Sequence, residues 1–350
     1  MTLTFAHETL PQRVRFGAGE AAVAVAEEVA RLQGSRVMAI ASDAARAEPV
    51  LAGVPVAVLH TDVRRHVPVD VAERARSVAQ EHDADVLVCV GGGSTTGLAK
   101  AVALTGGLPI VAVPTTYAGS EATDLWGLTE AGRKTTGVDR RVLPCAVVYD
   151  ASLLLGLPVP ISVASGLNAL AHCVDSMWAP RSDPIDRALA LEGIRAVNEG
   201  LPEVVAEPLG LPGREQMLYG AYLSAVAFAS AGSGLHHKIC HVLGGMFDLP
   251  HAETHAVVLP AVLAFNAPAV PGLDATMATA FGAETALAGL HRLMDEVDAP
   301  YSLRDLGLAE GDLAAAVGPV VEAAPPGNPV PVTPEVVAAL LRSAYDGRHR

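Results

Sequence analysis

The chain has 350 residues, of which 51% are hydrophobic and 18% charged, and its formal net charge is −14. This composition describes a globular protein long enough for two domains, and an acidic chain without a polybasic stretch is not expected to bind nucleic acid or an anionic membrane. The four cysteines form no C-x-x-C pair, which argues against a disulfide framework or a thiolate zinc site.

The N-terminal half alternates between short apolar runs and amphipathic ones. A basic region followed by an apolar stretch is missing at the N-terminus, so we expect no secretory signal and a cytoplasmic protein. Strands are predicted at "RVMAIAS" (36–42), "PVAVLH" (55–60), "DVLVCV" (85–90), "PIVAVP" (109–114) and "CAVVYD" (145–150), helices over 20–33 and 69–82, and a hairpin within 124–138. This alternation indicates a parallel sheet covered by helices on both faces.

From about residue 157 the pattern becomes helical throughout. Long runs rich in Ala and Leu cover 162–178, 185–199, 214–230 and 235–244, and others continue to the C-terminus. The uncharged stretch 151–174 is broken by Gly, Pro, Asn and His, so no transmembrane segment is expected. We predict an α/β dinucleotide-binding domain over residues 1–156 and an all-α substrate and catalytic domain over residues 157–350.

A glycine turn joins the predicted strand "DVLVCV" to the run "GGGSTTGLAK". Glycines at a strand-to-helix turn let backbone N–H groups approach a phosphate, and the positive end of the helix favours its charge. Gly91, Gly92 and Gly93, with the hydroxyls of Ser94 and Thr95, therefore fit a pyrophosphate. Because the spacing is not G-x-G-x-x-G, a tight turn without a ligand is the alternative.

An acidic residue, Asp43, follows the strand "RVMAIAS". A carboxylate at the end of such a strand accepts hydrogen bonds from ribose hydroxyls and repels a 2′-phosphate, which favours NADH over NADPH. The alternative is that Asp43 caps a turn or a helix.

Five histidines lie within "GLHHKICHVLGGMFDLPHAETH", at positions 236, 237, 241, 251 and 255. His237 and His241 are four residues apart and share one face of a helix, whereas His236 points elsewhere. His251 follows the break "GGMFDLP", and we expect a loop to return it toward that face.

A second pair, Asn168 and His172 in "SGLNALAHCVD", has the same spacing, so both pairs and His251 are predicted to converge on one pocket. Three imidazoles bind zinc or ferrous iron when a carboxylate or another strong ligand completes the set, but Asn168 offers only a neutral amide. Asp175, one turn past His172, is expected to orient that ring.

The motifs "GGGSTTGLAK", "PTTYAGSE", "GLTEAGRKTTG", "SGLNALAHCVD", the histidine stretch and "GNPVPVT" together resemble maleylacetate reductase. That enzyme is a branch of the iron-containing alcohol dehydrogenase and dehydroquinate synthase-like superfamily, and the likeness covers nearly the whole chain. The resemblance implies a Rossmann-like α/β domain, a helical C-terminal domain, an active-site cleft between them and a homodimer.

Metal-dependent relatives hold their ion with one Asp and three His, which match Asn168, His172, His237 and His251 here. The reductase branch is regarded as metal-free, so these residues and His241 would instead bind substrate or transfer protons. The resemblance implies reduction of the carbon–carbon double bond of maleylacetate to 3-oxoadipate in the degradation of aromatic compounds. A metal-dependent NAD alcohol dehydrogenase and a non-catalytic dinucleotide-binding protein are the alternatives.

The resemblance also assigns binding residues. For the cofactor, NADH or less favourably NADPH, these are Gly92, Gly93, Ser94 and Thr95 at the pyrophosphate, Thr115, Thr116 and Ser120 along the ribose and nicotinamide, and Lys134 near a ribose. Asp43, inferred above from its position after a strand, completes the predicted cofactor set. The two carboxylates of the oxo-dicarboxylate substrate need cationic or amide partners, for which Lys238, Arg133 and Asn168 are the candidates, and Tyr117 is a further predicted substrate residue. After "PTTYAGSE" the chain departs from the family pattern, with Ala122 and Asp124 in place of Met and Pro, and we expect Asp124 to be an exposed loop residue.

Overall fold

The computed structural model describes residues 3–130, 133–300 and 302–347, and the side chains of Arg133 and Lys134 lie outside this description. The chain divides into two compact units. Residues 10–157 form an α/β unit, and residues 158–347 together with residues 3–9 form a helical unit.

The α/β unit is built on a six-stranded parallel sheet with the strand order β1-β8-β5-β4-β2-β3. Its strands are β1 Arg13–Phe16, β2 Val37–Ile40, β3 Val56–His60, β4 Val86–Gly91, β5 Ile110–Pro114 and β8 Ala146–Tyr149, and β6 Leu125–Glu130 and β7 Arg133–Val138 form a separate antiparallel hairpin. Its helices are α1 Ala21–Arg31, α2 Ala44–Ala47, α3 Val69–Glu81 and α4 Gly93–Gly106.

Both faces of this sheet are covered by apolar cores. Successive side chains of a strand point to opposite faces, so alternate residues of its buried strands pack into different cores. In β4, Leu87 and Cys89 pack with residues of α3 and α4. Val86 and Val88 pack with residues of α1 on the opposite face. The predicted parallel sheet with helices on both faces is confirmed.

The edge strand β1 was missed by the sequence pattern. Its Arg13 and Arg15 form ion pairs with Glu28 and Glu27 of α1, at 3.2 and 2.6 Å. An edge strand is buried on fewer sides than a central one, so it lacks the continuous apolar run by which β4 and β5 are recognised.

The helical unit consists of α5 Val159–Ser176, α6 Pro184–Ala206, α7 Leu211–Ala231, α8 Leu235–Phe247, α9 His251–Asn266, α10 Pro271–Phe281, α11 Ala286–Glu296, α12 Leu313–Ala323 and α13 Pro334–Asp346. Helix α5 lies at its centre, and every residue from Ser162 to Ser176 is buried. Helices α8, α9, α12 and α13 enclose a second apolar core.

Two boundaries differ from the sequence prediction. Helix α8 continues through Gly244 and Gly245 to Phe247, and its C-cap residue Asp248 adopts the left-handed conformation at φ 52°. His251 is the first residue of α9 and not a loop residue. Within the described residues, no helix has the length and apolar character that crossing a membrane requires.

Candidate functional site

Helices α5, α8 and α9 of the helical unit bring the predicted histidines together. The rings of His172 and His237 stack with centroids 4.9 Å apart, and His237 lies 6.1 Å from His241. His241 in turn stacks on His251 at 6.1 Å. The rings at 172, 237, 241 and 251 therefore form a continuous cluster, although their sequence positions span three helices.

This cluster has a dry end and a wet end. His172 and His237 are 8% and 2% exposed, and Phe228 of α7 packs on both rings, with centroids 4.8 and 4.2 Å away. His241 and His251 are exposed. Histidines at the two ends therefore differ in access to water and in their ability to exchange protons with it.

Asp175 of α5 holds His237 and not His172, which corrects the sequence prediction. Its Oδ2 lies 2.7 Å from His237 Nδ1 and also accepts the backbone N–H of Gly234 at 2.8 Å. Position 234 must be glycine for this approach, because a Cβ there would lie 2.6 Å from Asp175 Cγ. An oxygen that accepts a backbone N–H is an acceptor for the ring as well, so His237 Nδ1 carries the proton and Nε2 a lone pair.

Burial sets the protonation states at the dry end. It lowers the pKa of His172 to about 4, with His241 as the smaller cause. Burial, reinforced by His172, also holds the pKa of His237 well below its usual range. It raises the pKa of Asp175 to about 7, against the opposing effect of the backbone N–H groups that this carboxyl accepts. Both rings are therefore neutral near pH 7.

A second group, His236, Cys240 and His255, lies beside this cluster and was not assigned a role from the sequence. All three are at most 1% exposed. His236 Nε2 is 3.0 Å from His255 Nδ1, and Cys240 Sγ is 3.7 Å from His236 Nε2. The i, i+4 spacing of His236 and Cys240 is a signal that could have revealed it.

The atoms that would hold a divalent ion at the family position do not gather around one point. Among the described residues, the sets of three or more His, Cys, Asp or Glu side chains with ligand atoms within 4.8 Å of one another are His236 with Cys240 and His255, and His7 with Asp183 and Asp186. His172, His237 and His251 do not form such a set. Asn168 is 3% exposed, and its Oδ1 is buried without a hydrogen-bond partner in the described structure.

In the α/β unit, the glycine turn lies at the carboxyl end of β4 and begins the fourteen-residue helix α4. The Gly92 carbonyl accepts the N–H groups of Thr95 and Thr96, at 3.0 and 3.1 Å. Gly93 and Ser94 come earlier in the first turn of α4. Backbone N–H groups at this end of a helix have no carbonyl partner within the helix. The buried Thr95 packs against Gly91, where a Cβ would lie 2.8 Å from Thr95 Cβ.

Four other predicted cofactor residues follow strands next to β4 in the sheet. Thr115, Thr116 and Ser120 follow β5 and are partly exposed. Asp43 follows β2 and is the N-cap of α2, where it accepts the Arg46 N–H at 3.2 Å. Because the carboxyl ends of parallel strands share one edge, these residues and the glycine turn lie at the same edge of the sheet. The Asp43 carboxylate also lies 3.3 Å from Arg46 Nε, and it is 51% exposed.

Asp124 is buried rather than exposed, which corrects the expectation for this loop. The ammonium of the buried Lys100 donates to the carbonyls of Thr123 and Leu125, both at 2.8 Å. Burial lowers the pKa of Lys100 to about 7, and the carboxylates of Glu121 and Asp124 oppose this shift. Asp124 is therefore a buried neighbour of the Lys100 side chain inside the α/β unit and not a loop residue in solvent.

The three predicted substrate residues have different outcomes. Tyr117 is fully buried in the α/β unit, which argues against its predicted contact with substrate. Lys238 is partly exposed on α8, next to His237. The side chains of Arg133, and of Lys134 among the cofactor residues, fall outside the described structure.

Both halves of the chain match family models. Residues 11–151 match the model described as iron-containing alcohol dehydrogenase, and residues 162–345 match the C-terminal model of the Fe-containing alcohol dehydrogenase family. The two family models thus place this fold, with its glycine turn and its helical histidine cluster, among the iron-containing alcohol dehydrogenases. The chain belongs to the iron-containing alcohol dehydrogenase family.

Individual relatives narrow this assignment. Maleylacetate reductase from Pseudomonas sp. (strain P51) is 45% identical over 349 residues, 99% of each chain. The crystal structure of maleylacetate reductase from Agrobacterium tumefaciens has a TM-score of 0.93 and 41% identity over 99% of each chain. That of an iron-containing alcohol dehydrogenase from Corynebacterium glutamicum has a TM-score of 0.98 and 57% identity, covering 100% of this chain and 99% of the other. The resemblance to the maleylacetate reductases is confirmed, and the chain is an oxidoreductase.

Proposed function

We propose that this oxidoreductase reduces the carbon–carbon double bond of maleylacetate, or of a close enone dicarboxylate, to give 3-oxoadipate or its analogue. The observation that carries the proposal is the cluster of His172, His237, His241 and His251, with the neutral Asn168 one turn before His172 on α5. Relatives at 45% identity over 99% of the chain carry the name maleylacetate reductase, which supports the substrate.

NADH is the proposed cofactor, and it supplies the hydride when bound. The α/β unit fits it, because Gly92 and Gly93 leave the first turn of α4 open to a pyrophosphate and the helix N-terminus favours an anion. Thr115, Thr116 and Ser120 would line the rest of the cofactor at the same edge of the sheet. The exposed carboxylate of Asp43 would repel a 2′-phosphate and favour NADH over NADPH.

His241 is the proposed proton donor. Hydride addition to a double bond conjugated to a ketone leaves an enolate, whose carbon must then receive a proton. His237 is poorly suited, since it is buried and its Nδ1 donates to Asp175, which leaves Nε2 without a proton. His241 is exposed, so water can restore its proton after each turnover.

The buried His237 and Asn168, together with Lys238, would bind and orient the substrate. The lone pair of His237 Nε2 accepts a hydrogen bond in the tautomer that Asp175 fixes. The amide of Asn168 and the ammonium of Lys238 are the proposed partners for the substrate carboxylates. Asn168 would bind an anion through its amide N–H groups without the repulsion that a carboxylate at this position would add.

We propose that these residues work without a metal ion at the family position. The three imidazoles do not bring their nitrogens around one point, and the amide of Asn168 contributes no charge to offset a dication. The residues present therefore do not fit the one-Asp, three-His set.

The test is NADH oxidation measured against maleylacetate, other unsaturated oxo-dicarboxylates and simple aldehydes and ketones, before and after treatment with a chelator. Turnover of the enone dicarboxylates that survives chelation is expected. Activity with aldehydes alone, lost on chelation and restored by iron or zinc, would instead assign a metal-dependent alcohol dehydrogenase. Absence of turnover with every substrate would leave a dinucleotide-binding protein.

The resemblance also leads us to propose a cytoplasmic homodimer. Light scattering coupled to size-exclusion chromatography should give twice the chain mass of 35.9 kDa. A monomeric main species at micromolar concentration would contradict it.

A further inference from the structure

We propose that His236, Cys240 and His255 form a binding site for a thiophilic divalent metal ion of the zinc class. The site shares no residue with Asn168, His172, His237 and His251, the positions that match the metal ligands of metal-dependent relatives. It does not depend on the proposed function, because metal binding at this trio is measured without turnover.

The distances within the trio are close to those of a tetrahedral zinc site. With Zn–N of about 2.0–2.1 Å and Zn–S of about 2.3 Å, tetrahedral ligands lie about 3.3 Å apart for two nitrogens and about 3.6 Å apart for nitrogen and sulfur. The structure has 3.0 Å between His236 Nε2 and His255 Nδ1, and 3.7 Å between His236 Nε2 and Cys240 Sγ. Shifts of a few tenths of an ångström would complete the coordination.

The backbone holds these ligand atoms in place. His236 and Cys240 are one turn apart on α8, and His255 faces them from the second turn of α9. All three side chains are packed inside the helical unit, where rotamers are fixed by their neighbours. A site with this little freedom loses little entropy when an ion binds.

The charges around the trio suit a dication. Burial, together with the nearby carboxylate of Asp175, raises the pKa of the Cys240 thiol well above its usual range, so the thiol keeps its proton at neutral pH. Binding of a soft dication would release that proton to solvent and leave a thiolate. The thiolate would offset half of the charge of the ion, in line with the need of a buried charge for a partner.

The ligand types select the ion. One thiolate and two imidazoles favour zinc, cobalt or copper over magnesium and calcium, which take oxygen ligands. Three protein ligands leave a fourth position for water. The ion would tie α8 to α9, the helices that carry His237, His241 and His251, and its proposed role is structural.

Cobalt is the probe, because its bond to a thiolate gives a charge-transfer absorption band. Since the trio is buried, the ion must enter while the chain folds, so the full-length protein is produced in minimal medium with added cobalt. We expect about one cobalt ion per chain by mass spectrometry after gel filtration, and the thiolate band in the spectrum. Cys240→Ser should remove the band, and His255→Gln should lower the bound cobalt at least about tenfold.

Two matched variants locate the ion. Cys173→Ser replaces another fully buried thiol on α5 and should keep both the cobalt and the band. His172→Gln removes a residue of the family position and should also keep them. Cobalt that is lost with His172→Gln but kept with Cys240→Ser would place the ion at the family position and overturn the proposal.

The wild-type protein alone also decides the matter if the variants do not fold. X-ray absorption at the cobalt edge should show one sulfur and two imidazoles around the ion. A bound ion without a sulfur ligand, or far less than one ion per chain, would make His236 and His255 a hydrogen-bonded imidazole pair of the core and overturn the proposal.

Discussion

The two candidate sites of this chain are built on opposite principles. In the helical unit, four imidazoles, an amide and a carboxylate are brought together by α5, α8 and α9, and the site exists through its side chains. In the α/β unit, the turn between β4 and α4 exists because side chains are missing, which exposes backbone N–H groups. The first is expected to be sensitive to protonation and hydrogen bonding, and the second to added volume.

The largest expected effect comes from the wet end of the histidine cluster. His241→Ala should lower turnover by about 100-fold or more, because it removes the proposed proton donor, while the KM for NADH stays nearly unchanged. Steady-state kinetics with maleylacetate would measure both. Partial recovery of turnover with imidazole in the buffer is expected if the lost group is the proton donor. Wild-type turnover in the variant would exclude His241 from the chemistry.

A side chain added in the glycine turn should weaken cofactor binding at one position and lower stability at another. A Cβ at Gly93 would meet only Ala118 Cβ, at 3.4 Å, so Gly93→Val should leave the fold intact and block the phosphate. Loss of charge-assisted hydrogen bonds predicts an NADH Kd raised about 10- to 100-fold, measured by fluorescence titration.

Gly91→Ala is the matched variant, because its Cβ would lie 2.8 Å from Thr95 Cβ. It should cost about 1–3 kcal/mol in thermal stability through overpacking. Unchanged NADH affinity in folded Gly93→Val would argue against the phosphate role of this turn.

Acid should destabilise the helical unit through its dry histidines. The pKa of His172 falls from 6.5 to about 4 on folding, so its contribution to stability is complete above pH 6.5 and is lost as the pH falls toward 4. The loss amounts to about 3 kcal/mol for this ring. Asp175, whose pKa rises to about 7, opposes the His172 effect over the same pH range, because its burial costs stability as the pH rises from 3.8 to 7. Burial also lowers the pKa values of His236, His237 and His255, and these three rings make the net effect of acid a loss of stability.

The two tryptophans make this measurable, because Trp126 lies in the α/β unit and Trp178 in the helical unit. In a Trp126→Phe background, denaturant unfolding followed by Trp178 emission should show the acid loss. His172→Gln should flatten its pH dependence, and an equally steep profile in that variant would assign the loss to other groups.

The smallest effect is expected at the rim of the glycine turn. Asp43→Ser should relax discrimination against NADPH by several-fold, because it removes a negative charge near the expected 2′-phosphate. Serine also caps helices, so α2 should be preserved and stability little changed. The ratio of kcat/KM for the two cofactors is the readout, and an unchanged ratio would restrict Asp43 to its capping role.

The same contrast explains what the sequence could predict. The sheet, the glycine turn and the i, i+4 pairs on α5 and α8 depend on residues close together in the chain, so periodicity and turn chemistry reveal them. The edge strand β1 escaped this approach because its arginines pair with glutamates of α1 and interrupt the apolar pattern.

Contacts between distant segments could not be read from spacing. Asp175 lies one turn past His172, yet its carboxylate bonds His237, because Gly234, the N-cap of α8, packs against that carboxylate. Asp124 has a loop pattern, but Lys100 from the middle of α4 reaches the flanking carbonyls. The meeting of Cys240 with His255 likewise depends on how α9 packs on α8.

The burial of α5 from Ser162 to Ser176 has a consequence for altering substrate range. In this buried part of the helix each residue packs against neighbouring elements, so changes at Asn168 or His172 alter stability together with chemistry. The exposed faces of α8 and α9 around His241 and His251 have no such constraint. Laboratory evolution toward new oxo-acids should therefore accumulate its tolerated substitutions there, while α5 stays unchanged.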